Sequence, residues 1–140
     1  MPPAKPSEVD QSDGSNSLSE QGGATSRILV IEDDHDIIET IELILRSAGH
    51  DVRSTTHGKD ALRLVELLKP DLVLTDVIMP EIDTLDAIGE LRRTYPALKI
   101  IAISGNPHLL TLASKHGADQ VLAKPFSLNK LTALVKLTLQ

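Results

Sequence analysis

Four kinds of residue that can do chemistry together are spread across this 140-residue chain. Three acids stand in a row at Glu32, Asp33 and Asp34. A fourth acid, Asp76, follows the apolar run Leu72 to Leu74 and Thr75. Ser104 closes Lys99–Ser104, and Lys124 precedes Pro125. Two carboxylates about 4 Å apart repel by about 4 kcal/mol at an effective dielectric near 20. Acids brought together must share a proton, move apart or hold a cation. No histidine or cysteine stands among them, and an all-oxygen set favours magnesium, calcium or manganese over zinc or copper. Few carboxylates with room for water suit magnesium best, because it gives up its waters reluctantly. A lysine opposite the metal adds a fixed positive charge. That pairing around one carboxylate suits a phosphoryl group, whose equatorial oxygens need neutralising, and the carboxylate is the nucleophile.

These residues meet only if the chain is folded so that its strands end at one edge. The pattern predicts this. Short apolar runs at Ile28–Ile31, Asp71–Thr75 and Lys99–Ser104 read as strands buried on both faces, and Asp51–Thr55 and Gln120–Ala123 as two more. Between them lie helical spacings. The first carries Ile37, Ile41, Ile44 and Ala48, with Ile38 and Leu45 alongside, and Gly49 as C-cap. The second covers Lys59–Leu68 and stops at Pro70. The third covers Leu85–Thr94, the fourth opens at Pro107 and runs to about His116, and Ser127 caps the last. Five strands alternating with five helices imply an α/β fold, a doubly wound parallel sheet covered on both faces. In such sheets the working site lies beyond the carboxyl ends of the strands. Every candidate residue falls at one of those ends.

The segments ILVIEDD, DLVLTDVIMP, IIAISG and LAKPF resemble the four signature segments of response-regulator receiver domains, in the family's order and at close to its spacing. The resemblance covers Arg27 to Gln140. It implies a flavodoxin-like (βα)5 fold with strand order 2-1-3-4-5. It also implies that Asp76 accepts a phosphoryl group from a sensor histidine kinase or a histidine phosphotransfer protein. Asp33 would bind Mg2+ directly, Glu32 through water, and the backbone carbonyl of Ile78 would be a further ligand. Ser104 and Lys124 would bond the phosphoryl oxygens, and the Lys124–Pro125 bond would be cis. The readout would be a population shift of the face formed by the fourth helix, fifth strand and fifth helix, where a downstream protein binds. The protein is then a phosphoacceptor that assists its own phosphorylation and slow dephosphorylation, and not an enzyme.

Two positions depart from the family pattern. Thr84 stands where a glycine usually follows Asp83. The loop there is either ordinary or strained, since a β-branched residue disfavours the angles glycine tolerates. Val121 stands where many members have Tyr or Phe, so a rotating aromatic ring cannot couple to Ser104 from that position. A pseudo-receiver, the same fold as a constitutive interaction module, is the alternative reading. A true hydrolase with an aspartyl-phosphate intermediate is a third. It usually needs an acid two residues past the nucleophile, where this chain has Ile78.

The bulk properties agree with this class. Hydrophobic residues make up 41% and aromatics only 1%, so aliphatic side chains must supply the core. With no cysteine there is no disulfide, thiolate metal site or cysteine nucleophile. The net charge of -6 and the lack of a basic stripe argue against direct nucleic acid binding. No apolar run is long enough for a membrane span and no signal peptide is evident, which points to the cytoplasm. Residues 1–26 are rich in Pro, Ser, Gly and acids and are expected to be disordered, as a passive leader or a docking segment. Residues 27–140 form the receiver domain. Nothing follows the last helix, so a single-domain regulator acting by protein contact is expected. The five histidines are scattered and read as surface or structural, and Asp34 reads as a helix cap.

Overall fold

The computed structural model describes residues 25–80 and 82–140. The expected tail therefore lies almost wholly outside the described residues. Five strands form one parallel sheet: β1 (Arg27–Ile31), β2 (Asp51–Thr55), β3 (Leu72–Asp76), β4 (Lys99–Ser104) and β5 (Gln120–Ala123). Their order is β2-β1-β3-β4-β5, as expected. The helices between them are α1 (His35–Ser47), α2 (Ala61–Leu68), α3 (Thr84–Thr94), α4 (Pro107–His116) and α5 (Leu128–Leu139).

Alternate residues of each strand point to opposite faces, and the core divides accordingly. Leu29, Ile31, Val73, Ile100 and Ala102 pack with Ala61 and Val65 of α2, Ile88 and Leu91 of α3, and Ala113 of α4. Ile28, Val30, Leu72, Leu74, Ile101 and Ile103 pack with Ile41 and Leu45 of α1 and Leu131 and Val135 of α5. A strand with helices on both faces must be apolar throughout, which is why β3 is buried at every position.

The start of α2 and the buried stripe of α1 differ from the sequence reading, and both differences have local causes; α3 also begins one residue early, at Thr84. Residues 58–60 form a 3-10 turn, so α2 proper begins at Ala61 and not at Lys59. Gly58 is buried there, and a Cβ on it would lie 2.7 Å from Cδ1 of Ile82. The tight turn lets the loop after β3 approach. In α1 the buried stripe is Ile38, Ile41 and Leu45, with Ile37 and Ile44 at its margin and Ala48 exposed. The apolar face is wider than a helix packed on one side can bury, so the spacing alone misplaces its centre by one residue. Gly49 takes the left-handed φ of 97° just past the helix, as a C-terminal glycine does. Among the described residues no helix is long and apolar enough to cross a membrane.

His50 follows that glycine, and its Nδ1 is buried without a hydrogen-bond partner. Burial holds its pKa below the usual 6.5, because the charged ring is costlier to keep away from water.

Two measurements check this packing. Leu45 is 0% exposed and Leu43 71% exposed on the same helix, so Leu45→Ala is expected to lower urea stability by about 3 kcal/mol and Leu43→Ala by less than about 0.5 kcal/mol. His50 takes up its proton more readily in the unfolded chain. Its contribution to stability is therefore full above about 6.5 and is lost as pH falls into the interval below it. The stability difference between wild type and His50→Gln is expected to shift in the variant's favour from pH 7.5 to pH 5.5; a constant difference would show that the ring does not titrate with folding.

Candidate functional site

The register sets the site. Ile31 pairs with Thr75, Asp76 with Ile103 and Ser104 with Ala123. The carboxyl ends of β1, β3, β4 and β5 are thus level. Glu32 follows β1 directly, Asp76 and Ser104 end their strands, and Lys124 follows β5 directly. The reversal of strand order between β1 and β3 opens the crevice there, at the switch point where α/β sheets bind ligands.

Lys124 bridges the acids. Its Nζ donates to Oε1 of Glu32 and to Oδ2 of Asp76, each at 2.9 Å. The other oxygens are held by backbone. Oδ1 of Asp76 accepts from the N–H of Ile78 at 2.9 Å, and Oε2 of Glu32 accepts from the N–H of Asp34 at 3.2 Å. Asp33 is exposed beside them, and one carboxylate oxygen from each of Glu32, Asp33 and Asp76 lies within 4.8 Å of the others. Among the described residues no other group of three acids, histidines or cysteines is gathered in this way.

Burial is the dominant electrostatic fact. Glu32 is 2% exposed, and its pKa rises from 4.5 to about 7. Desolvation is the chief cause, opposed by the Lys124 hydrogen bond and reinforced by the charge of Asp76. For Lys124, burial disfavours the ammonium, but the hydrogen bonds to Asp76 and Glu32 outweigh it and hold the pKa above the usual lysine value. Three acids against one lysine leave the site short of positive charge. An all-oxygen donor set with that deficit fits a hard divalent cation.

The remaining expected residues fall close by. Oγ of Ser104 is buried and accepts from the N–H of Asn106 at 3.0 Å, so it is turned into its own loop. Ile78 lies just beyond Asp76 and is 59% exposed. Asp34 caps α1 by accepting from the N–H groups of Asp36 and Ile37. The Lys124–Pro125 peptide bond is cis. Thr84 is the first residue of α3, preceded by Asp83 as its cap at φ -90°. The loop is therefore ordinary, and Lys69 is the one non-glycine residue with positive φ among the described residues. Thr84 instead bears a different cost: its Oγ1 is buried without a partner. Val121 is half-buried against the α2–α3–α4 side of the core.

Sequence reasoning missed one structural group. Arg92 donates to Oδ2 of Asp119 at 2.6 Å and to the carbonyls of Pro96, Leu98 and Gly117. Asp119 also accepts from the N–H of Ile100. This ties α3 to the turn before β5. Partners 27 residues apart, with β4 and α4 between them, leave no local signal.

The profile of the response regulator receiver domain matches residues 28–136. The chain belongs to the response-regulator receiver family. It is 36% identical to the DNA-binding transcriptional regulator NtrC of Azospirillum brasilense over 81% of this chain and 24% of that protein. It is 31% identical to the alkaline phosphatase synthesis regulator PhoP of Bacillus subtilis, over 81% of this chain and 48% of that one. The receiver thus spans from a quarter to about half of these relatives' length. The crystal structure of the receiver domain of NtrX from Brucella abortus matches with a TM-score of 0.75 at 28% identity, covering 80% of this chain and 97% of that one. A CheY-like receiver from Methanospirillum hungatei shares the fold, with a TM-score of 0.78. Members of this family are signalling phosphoacceptors that bind Mg2+ at an acidic pocket.

Removing the bridging ammonium tests the charge balance. Lys124→Ala leaves Glu32 and Asp76 facing each other, and is expected to lower stability at pH 8 by about 1–3 kcal/mol. Mg2+ is expected to raise the melting temperature of the variant more than that of the wild type. Equal stability of the two without metal would mean that the lysine does not balance these acids.

Proposed function

We propose that this receiver takes a phosphoryl group on Asp76 from a sensor histidine kinase or a histidine phosphotransfer protein, in a Mg2+-dependent reaction, and signals by a conformational switch. The observation that carries this reading is the single ammonium of Lys124 held 2.9 Å from both Asp76 and Glu32. Glu32, Asp33, Asp76 and the backbone carbonyl of Ile78 would hold the ion. When bound, it supplies positive charge to the oxygens of the transferring phosphoryl group.

The chain's own residues do the rest. A carboxylate oxygen of Asp76 forms the new P–O bond as the P–N bond to the donor's imidazole breaks, and the imidazole nitrogen keeps the electron pair and takes up a proton. The N–H of Ile78 holds the Asp76 carboxylate in place before attack. Lys124 moves from the acids to a phosphoryl oxygen and neutralises part of its charge. A groove lined by Ile37, Thr40, Phe126 and Leu128 opens beside Lys124 and gives a donor room to approach.

The switch needs Ser104 to leave the N–H of Asn106 and turn its hydroxyl to the phosphoryl group. Lys124 and Ser104 are also joined through backbone, the N–H of Lys124 donating to the carbonyl of Ser104 at 2.9 Å. Movement of either therefore strains the β4–β5 edge. With Val121 in place of an aromatic ring, this backbone link carries the coupling to α4, β5 and α5, where a downstream protein binds. Direct nucleic acid contact is not part of the proposal, and the setting is the cytoplasm. The lack of an acid at Ile78 accords with slow loss of the phosphoryl group.

Incubation with a small phosphodonor and Mg2+ is expected to add one acid-stable, base-labile phosphoryl group by intact mass, and Asp76→Asn to abolish it. No uptake by the wild type would favour a pseudo-receiver that binds partners without phosphorylation. Continuous phosphate release at enzyme-like rates would favour a hydrolase.

A further inference from the structure

The loop after β3 carries the carbonyl of Ile78, and it is held in two different ways. At its start the N–H of Val77 donates to the carbonyl of Ile103 at 2.9 Å, and the N–H of Ile78 donates to Oδ1 of Asp76 at 2.9 Å. At its end Asp83 caps α3 by accepting from the N–H of Asp86. Between these points, among the described residues, the hold is apolar. Met79 is 6% exposed, and Ile82 packs against the same core cluster.

Both side chains rest on Gly58, the buried first residue of the 3-10 turn before α2. A Cβ there would lie 2.7 Å from Cδ1 and 3.1 Å from Cγ1 of Ile82, and 3.5 Å from Cβ of Met79. Two side chains of one loop thus converge on a Cα that bears no side chain. Gly58 is not among the residues with positive φ. Space, and not backbone freedom, is what calls for glycine at this point. Met79 is also the residue next to Ile78, and the Ile78 carbonyl belongs to the planar peptide unit the two share. That unit is anchored on one side by the hydrogen bond of the Ile78 N–H to Asp76. On the other side it is anchored by the seat of Met79 and Ile82 on Gly58.

We infer that Gly58 is a positioning residue for the metal site: its bare Cα seats Met79 and Ile82, and this seat holds the Ile78 carbonyl where the ion would take it. The inference deepens the proposed function and rests on its reading of that carbonyl as a ligand. Groups that touch only the ligands of a metal still set its affinity, because they fix where the ligands stand. A hollow of about 210 Å3 lined by Gly58, Leu62, Ile82 and Ala87 lies beside the seat. It gives Ile82 room to move aside. An added methyl group at residue 58 therefore displaces the loop more than it unfolds the chain, and the effect falls on the carbonyl.

The test uses the full chain. Mg2+ affinity is read by calorimetry, and the amide NMR shifts of Ile78 and Met79 are read without metal. Gly58→Ala is expected to bind Mg2+ about tenfold more weakly and to move both amide shifts. Ile82→Val deletes only Cδ1, the atom the new methyl group would meet first, and in the double variant it is expected to recover most of both effects. Leu45→Ala, destabilised on the opposite face of the sheet, is expected to keep wild-type affinity, which separates positioning from loss of stability. Ile82→Ala empties the seat from the loop side and is expected to weaken Mg2+ binding as well, so the question is decided even where Gly58→Ala fails to fold. Wild-type affinity in Gly58→Ala or Ile82→Ala, unmoved amide shifts, or no recovery in the double variant would overturn the inference alone. No Mg2+ binding by the wild type would sink the metal reading and this inference with it.

Discussion

The ammonium of Lys124 between the carboxylates of Glu32 and Asp76 is the contact on which the rest depends. Buried acids cannot stand side by side without a counter-charge, and this lysine supplies it from the far side of the sheet, 92 residues from Glu32. To bring it there, β1, β3, β4 and β5 must end level, and β5 must stop within one residue of the bridge. The apolar strands supply that framework. Their burial on both faces fixes register, since a slip of one residue would turn every side chain to the opposite face.

The same contact explains why the site is poised. One positive charge is shared by two acids, a third acid is exposed beside them, and Glu32 has its pKa raised to about 7 chiefly by burial. In the proposed function a cation or a phosphoryl group entering this site would change which groups hold the lysine. Ser104 ends β4 and Lys124 follows β5, and the backbone hydrogen bond between them ties the site to the β4–β5 edge.

Much of this was legible in the sequence, and for identifiable reasons. Apolar runs of four or five residues followed by Glu32, Asp76, Ser104 and Lys124 mark strand ends, and strict alternation with helical segments fixes a parallel sheet. Once the sheet is parallel, all those ends lie at one edge. The candidate site therefore follows from topology, and the family pattern assigns roles to the same residues. Asp34, Asp83, Asn106 and Ser127 announce their helices by short-range cap chemistry.

Tertiary structure decided what depends on distance between remote residues. The centre of the buried stripe on α1 depends on how α1 meets the sheet, which spacing within α1 cannot report. The ordinary backbone at Thr84, and its unpartnered hydroxyl, depend on what packs over the loop after β3. The Arg92–Asp119 tie joins residues with no sequence relation. The sequence by itself determined which chemistry could occur and at which edge. Packing determined which groups face each other there, because burial and charge act through space and not along the chain.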